Sequence, residues 1–206
     1  VYTPSLNTNN LLTLNPVPNL SNWGSYYCNR LKNGGKCDLC AHMEETETIN
    51  SIYYSTKFRI HGHLRHDYAP DGKIRWFIYG IKDIPCGKII IGSTQDPNSR
   101  WANYKSSCNK QNSKSTGLSK HFMDGCPFDT GTEKATLNYT LVDFYDTTAQ
   151  KIREAGHVPG PKCRCKECNT LKDLENKWIM KMGSMYGISG LNERNEMKTN
   201  VHGNTR

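Results

Sequence analysis

The stretch IRWFIYGIKDIPCGKIIIGSTQDPNSRWANY, Ile74–Tyr104, decides how the rest of the chain is read. Trp76–Ile81 is an apolar run rich in β-branched and aromatic residues, and Ile89–Ile91 is a second. Between them lies Lys82-Asp83-Ile84-Pro85-Cys86-Gly87, with the Pro and Gly of a turn, so the pair predicts a β-hairpin. Gly92-Ser93-Thr94-Gln95-Asp96-Pro97 then closes the second strand and opens a helix. Asp96 supplies an N-cap oxygen, and Pro97 occupies the first helical position, where a missing N–H is harmless. Arg100 and Tyr104 are four apart and share a face of that helix. A hairpin feeding a capped helix that carries an arginine is a frame able to hold a phosphate.

Outward from this frame, Ser51–His61 has strand-forming composition, with Phe58 and Ile60 on one face and Ala69-Pro70-Asp71-Gly72 as the turn that follows. Asn109–Thr116 reads as a loop and Gly117–Asp124 as a short helix ended by Gly125. His121 lies on that helix beside the core-like Leu118 and Phe122. Thr136–Tyr145 alternates as a strand, and Thr147–Ala155 reads as a short helix. Thr170 and Asp173 form a variant of the capping box before a helix over Leu171–Met182, whose apolar positions are Leu171, Leu174, Trp178, Ile179 and Met182. Glu175 falls among these, and a carboxylate there costs free energy unless it is paired or holds a cation. The whole predicts an α+β fold: a small, mainly antiparallel sheet flanked by helices, with an N-terminal arm and zinc-binding elements.

Residues 1–24, rich in Asn, Thr and Pro, read as an extended arm or linker, docked through Leu11, Leu12 and Leu14. Residues 25–70 read as a zinc-binding module. There Cys28, Cys37, Cys40 and His42 surround a Gly34-Gly35 turn, and His61, His63 and His66 are alternative ligands. Within a core domain at 71–196, the insertion at 156–169 places His157, Cys163, Cys165 and Cys168 within twelve residues, a self-contained Cys₃His pattern. Lys162, Arg164 and Lys166 alternate with those cysteines and would face a phosphate backbone. Residues 197–206 read as a polar tail.

Net charge is +8 over 206 residues, with a pI near 9.0, which points to an acidic partner such as nucleic acid. The longest apolar runs fall far short of the ~20 residues that a membrane span needs. The cysteine count is nine, and an odd number at metal-ligand spacing favours Zn²⁺ in a reducing compartment, nuclear or cytoplasmic, over a secreted disulfide scaffold. No signal-peptide pattern precedes the first element, and the Val1 start reads as a processed or excised fragment.

Several of these segments carry a family resemblance. Ile78-Tyr79, then Ile90-Ile91-Gly92-Ser93-Thr94, then Arg100, resemble the GIY-YIG nuclease pattern. Ser119-Lys120-His121-Phe122, Glu175-Asn176-Lys177-Trp178-Ile179 and Gly190-Leu191-Asn192 occupy the later motif places in order. Lys36-Cys37-Asp38-Leu39-Cys40-Ala41-His42 resembles the cysteine motif that precedes the nuclease domain of Penelope-like retroelements. The resemblance spans roughly residues 28–196. It implies a GIY-YIG-like fold and a metal-dependent endonuclease acting on double-stranded DNA, with an upstream reverse transcriptase and its RNA as further partners.

The same resemblance implies roles for single residues. Glu175 would hold Mg²⁺ or Mn²⁺, Arg100 would bind the scissile phosphate, and Tyr79 would orient or deprotonate the attacking water. Asn192 would support the phosphate or Glu175, and His121 would be either catalytic or a metal ligand. The sequence departs from the pattern twice. Ile90 stands where the family has its second tyrosine, and Tyr104 stands where it has a histidine. Tyr104 keeps a hydroxyl on the Arg100 face, and Lys88, with Lys105, is expected to add positive charge toward DNA. If Ile90 is fatal to turnover, the chain would be a zinc-stabilised DNA-binding module with an inactive centre.

Overall fold

A computed structural model describes residues 28–29, 34, 36–44, 46–60, 65–109, 117–123, 137–158, 163–185 and 190–192. The expectations for the arm at 1–24, for His61, His63 and Lys162, for the loop after residue 109 and for the tail lie outside these residues.

The expected hairpin forms β3 (Ile74–Asp83) and β4 (Ile89–Thr94), paired antiparallel so that Tyr79 faces Gly92 and Ile81 faces Ile90. On the other side of β3 lies β5 (Leu137–Thr147), also antiparallel, giving the order β4-β3-β5. A register shift at Ile78/Tyr79 lets Leu137, Tyr139, Leu141 and Phe144 all face one side despite their mixed parity. Two cores result, one on each face of the sheet. Phe77, Tyr79, Ile81, Ile90 and Tyr139 pack with Trp101, Tyr104 and Leu118. Ile78, Ile89, Ile91 and Val142 pack with Leu171, Trp178, Ile179 and Met182 on the opposite face. The fold is α+β, as the sequence predicts.

Helix α1 (Pro97–Asn109) begins where the Asp-Pro pair places it. Asp96 Oδ1 accepts from the Ser99 N–H at 3.0 Å and Oδ2 from the Ser99 hydroxyl at 2.6 Å. Helix α2 (Gly117–Met123) follows, and α3 (Ala149–Glu154) is capped by Thr148, whose hydroxyl oxygen accepts from Lys151 N–H.

Two elements differ from expectation. Residues 51–61 are not one strand. β1 (Thr48–Ser51) and β2 (Thr56–Arg59) form their own antiparallel hairpin, turning through Ile52–Ser55 with Ser55 at φ 51°. The turn lacks Gly, Pro and Asn, so composition hid it. Helix α4 runs Lys166–Met182, five residues earlier than the capping-box reading. Its N-cap is Cys165, whose sulfur accepts from Cys168 N–H, so the last cysteines of the cysteine-rich insertion form the cap and first turn of the helix. Gly183, in the left-handed region at φ 59°, ends it.

Among the described residues no helix is long and apolar enough to cross a membrane.

Candidate functional site

Strand β4 is the edge of its sheet, and half of that edge is covered. Gly190 bridges to Ile89, and Leu191 N–H donates to Ile89 C=O. Asn192 accepts from Ile91 N–H at 2.8 Å, donates to Ile91 C=O at 2.6 Å, and accepts from the Ser184 hydroxyl at 2.7 Å. Among the described residues the Gly92–Thr94 end lies beyond this cover. Asn192 is fully buried, and its polar atoms are engaged with backbone and Ser184. It therefore clamps Ser184 and the 190–192 segment to β4. Asn192→Ala would strand the Ile91 N–H and C=O, and an expected loss of about 2–4 kcal/mol is measurable by denaturant unfolding.

Around the uncovered end, groups from both faces of the sheet meet. From one face Tyr79, fully buried, reaches the Tyr104 hydroxyl at 3.3 Å, and its ring stacks on Tyr139 at 5.1 Å and 19°. From the other face Glu175, half-buried on α4, accepts a hydrogen bond from the Ser93 hydroxyl at 2.5 Å. Arg100 is exposed on α1, and its charged form is favoured first by Tyr79, then by Tyr104 and Glu175. The expected trio of Tyr79, Arg100 and Glu175 thus lies in one electrostatic neighbourhood. Burial pushes the Tyr79 hydroxyl well above the ordinary tyrosine range, outweighing the opposing pull of Arg100. Tyr79 stays a phenol, suited to donating a hydrogen bond and unsuited to removing a proton.

Gly92 makes this arrangement possible. It pairs with Tyr79 across the strands, and a Cβ there would overlap the Tyr79 hydroxyl. Gly92→Ala should displace the Tyr79 ring and destabilise the fold by about 1–3 kcal/mol, read as a lowered denaturation midpoint together with altered tyrosine fluorescence.

Three clusters of metal-type donors lie within the described residues, the donor atoms of each within 4.8 Å of one another. The first is Cys28, Cys37, Cys40 and His66. His66 Nε2 sits 3.2 Å from Cys40 Sγ and 3.5 Å from Cys37 Sγ. His42, the expected fourth member, is not in it: its ring packs on Trp101 at 4.8 Å, and its Nε2 lies 3.9 Å from Asp38. The adjacent residue lost to one 26 positions away because a 3₁₀ turn, Cys40–His42, swings His42 off the cysteine side. Asn98 ties this cluster to α1, touching His66 Nδ1 at 3.3 Å and Cys37 Sγ at 3.5 Å. The helix that carries Arg100 is therefore braced by the cluster.

The second cluster gathers the expected His157, Cys163, Cys165 and Cys168, with His157 Nδ1 3.2–3.5 Å from the three sulfurs. Burial pushes the thiols of Cys40 and Cys168 up to about 12, whereas backbone hydrogen bonds from Cys165 and Val158 hold Cys163 down to about 6. The eight described cysteines are free thiols.

The third cluster, Asp83, Cys86 and His121, was missed by the sequence reading. His121 Nε2 lies 2.8 Å from Asp83 Oδ2, and Cys86 Sγ lies 3.0 Å from the same oxygen and 3.3 Å from His121. The signal was the Asp-x-x-Cys spacing across the hairpin turn. Asp83 is four residues along β3 from Tyr79, about 13 Å, so His121 stands with the hairpin tip and apart from the Arg100 neighbourhood.

The basic residues expected at DNA divide. Lys105 is committed to Asp38 at 3.0 Å, and Lys88 sits half-buried at the Asp83 end of the hairpin, away from Gly92. Arg164 and Lys166 are exposed at the start of α4.

No family model matches the chain, and no curated protein matches it. Among solved structures it is similar to the catalytic domain of homing endonuclease I-TevI, at 20% identity and a TM-score of 0.35, over 57% of this chain and 96% of that one. A second structure, a mutant of the catalytic domain of intron endonuclease I-TevI, gives 19% identity and a TM-score of 0.36, over 57% of this chain and 92% of the other.

Proposed function

We propose that the chain is a metal-dependent DNA endonuclease that hydrolyses a phosphodiester bond, nicking DNA to prime reverse transcription by a retroelement. The observation that carries this reading is the placing of the Tyr79–Tyr104 hydroxyl pair and the Ser93-anchored Glu175 on either side of the Gly92–Thr94 end of β4, all three near enough to act electrostatically on Arg100. Arg100 binds the non-bridging oxygens of the scissile phosphate, where its charge offsets the charge gained in the transition state. Tyr79 and Tyr104 orient the attacking water through their hydroxyls. Glu175 would hold Mg²⁺ or Mn²⁺, and a half-buried carboxylate fixed through one oxygen suits an ion that keeps several waters. When bound, that ion would supply charge neutralisation at the phosphate and at the leaving oxygen.

Cys28, Cys37, Cys40 and His66 fit one structural Zn²⁺, and His157, Cys163, Cys165 and Cys168 fit a second. Thiols that burial holds neutral, converging without disulfides, are stabilised as thiolates only by a cation. His121, beside Cys86 and Asp83, is read as a ligand rather than a catalytic group. The net charge of +8 matches a DNA partner, and an upstream reverse transcriptase with its RNA, in the nucleus or cytoplasm, completes the reading.

A second reading rests on Ile90, which is fully buried and brings no hydroxyl to the site: a zinc-stabilised DNA-binding module without turnover. Supercoiled plasmid incubated with Mg²⁺ separates the two. The endonuclease reading expects nicking by the native chain and none by Glu175→Ala or Arg100→Ala. Equal DNA retardation by all three proteins with no nick from any would establish the binder instead.

A further inference from the structure

The aromatic cluster beneath the site contains a group that the chemistry above does not use. Tyr139 lies on β5, where it is fully buried and its hydroxyl has no hydrogen-bond partner among the described residues. Its ring is fixed on two sides, stacked on Tyr79 at 5.1 Å and edge-on to Trp101 at 6.0 Å. Burial is the main influence on this hydroxyl, and Tyr104, Arg100 and Asp96 are near enough to bear on it electrostatically. The pairing register places Tyr139 in one row with Ile81 and Ile90 across the three strands, next to the row of Tyr79 and Gly92.

A phenylalanine would fill the same space, stack equally well and leave no polar atom unpaired. A buried hydroxyl without a partner lowers stability, and native proteins satisfy nearly all such groups. The aromatic packing explains the ring and leaves the oxygen without a structural purpose. An oxygen kept at a cost in the free protein is explained if it gains its hydrogen bond in another state. Arg100 is the cation among the described groups that bear on it, and a guanidinium is the group to which a bound phosphate would bring new contacts.

We propose that Tyr139 is a positioning residue of this site: with substrate bound, its hydroxyl gains a hydrogen bond toward Arg100 and Tyr79 and fixes both for the reaction. It adds from β5 a further buried phenol beside Tyr79 and Tyr104, where Ile90 provides none from β4. This inference rests on the endonuclease reading. Because the hydrogen bond forms only with substrate in place, its loss falls on the chemical step more than on binding.

The test is Tyr139→Phe in the full chain, with plasmid nicking in Mg²⁺ measured alongside thermal unfolding. The expected result is a Tm raised by about 2–4 °C, kcat lowered at least about tenfold and KM within about twofold of native. A raised Tm with unchanged nicking would make the hydroxyl a tolerated packing fault and overturn the proposal. A lowered Tm with kcat falling only in proportion to the folded fraction would make it structural and also overturn it. Glu175→Gln in the same assay separates the two levels. Nicking by native protein that Glu175→Gln loses and Tyr139→Phe keeps sinks only this proposal, whereas no nicking by native protein sinks the endonuclease reading and this inference together.

Discussion

Glu175→Gln is expected to lower the nicking rate at least about a thousandfold while leaving DNA affinity within a few-fold of native. The substitution is isosteric, and the Ser93 hydroxyl can still donate to the amide oxygen, so α4 keeps its contact with β4. What disappears is the negative charge, the property a hard divalent cation requires. Because the affinity for duplex comes mainly from cations against phosphates, a lost anion should leave retardation intact or slightly stronger. The measurement is single-turnover cleavage against Mg²⁺ concentration, with anisotropy titration of the same duplex in the absence of metal. A variant that nicks within tenfold of native would show that the acid is a strut between α4 and β4 and nothing more.

The second large effect concerns folding. Cys37→Ala removes one of four converging donors from a buried site, and structural zinc contributes about 10–16 kcal/mol of apparent binding free energy in small zinc peptides. Even a fraction of that exceeds the stability margin of an ordinary domain. The expected outcome is the loss of one zinc per chain by elemental analysis, with the cooperative unfolding transition lost or strongly shifted. His42→Ala is the informative control: with its ring on Trp101 instead of the cysteines, it should keep native zinc content. Retention of zinc by Cys37→Ala, or its loss from His42→Ala, would contradict the assignment of His66.

Much of the frame was legible. The β3–β4 hairpin and the Asp-Pro start of α1 are local events, written in apolar periodicity and cap chemistry within a few residues. What failed was decided at longer range or by atypical turns. Ile52–Ser55 turns the chain without any turn-forming residue except Ser55, which takes a left-handed φ that β1–β2 pairing imposes. The start of α4 was hidden because its cap is a cysteine, a residue read as a ligand and not as a helix signal. The choice of His66 over His42 brings together Cys40 and a histidine 26 positions on, which no spacing rule encodes. Asn192 was singled out by its motif place alone, and its partners are backbone atoms of Ile91, which have no sequence signature. Glu175 was legible as an acid out of place on an apolar stripe, although it lies at the half-buried margin of that stripe.

The partial cover of β4 bears on the shape of the molecule that can be served. A stiff double helix has a girth that no pocket in a chain of this size could swallow. Among the described residues the 190–192 segment pairs with β4 only as far as Ile91, and Arg100 and Glu175 lie near the strand end beyond it. On the endonuclease reading, a single phosphate on the outside of an unbent duplex would be brought against that end sideways, with neither strand prised from the other.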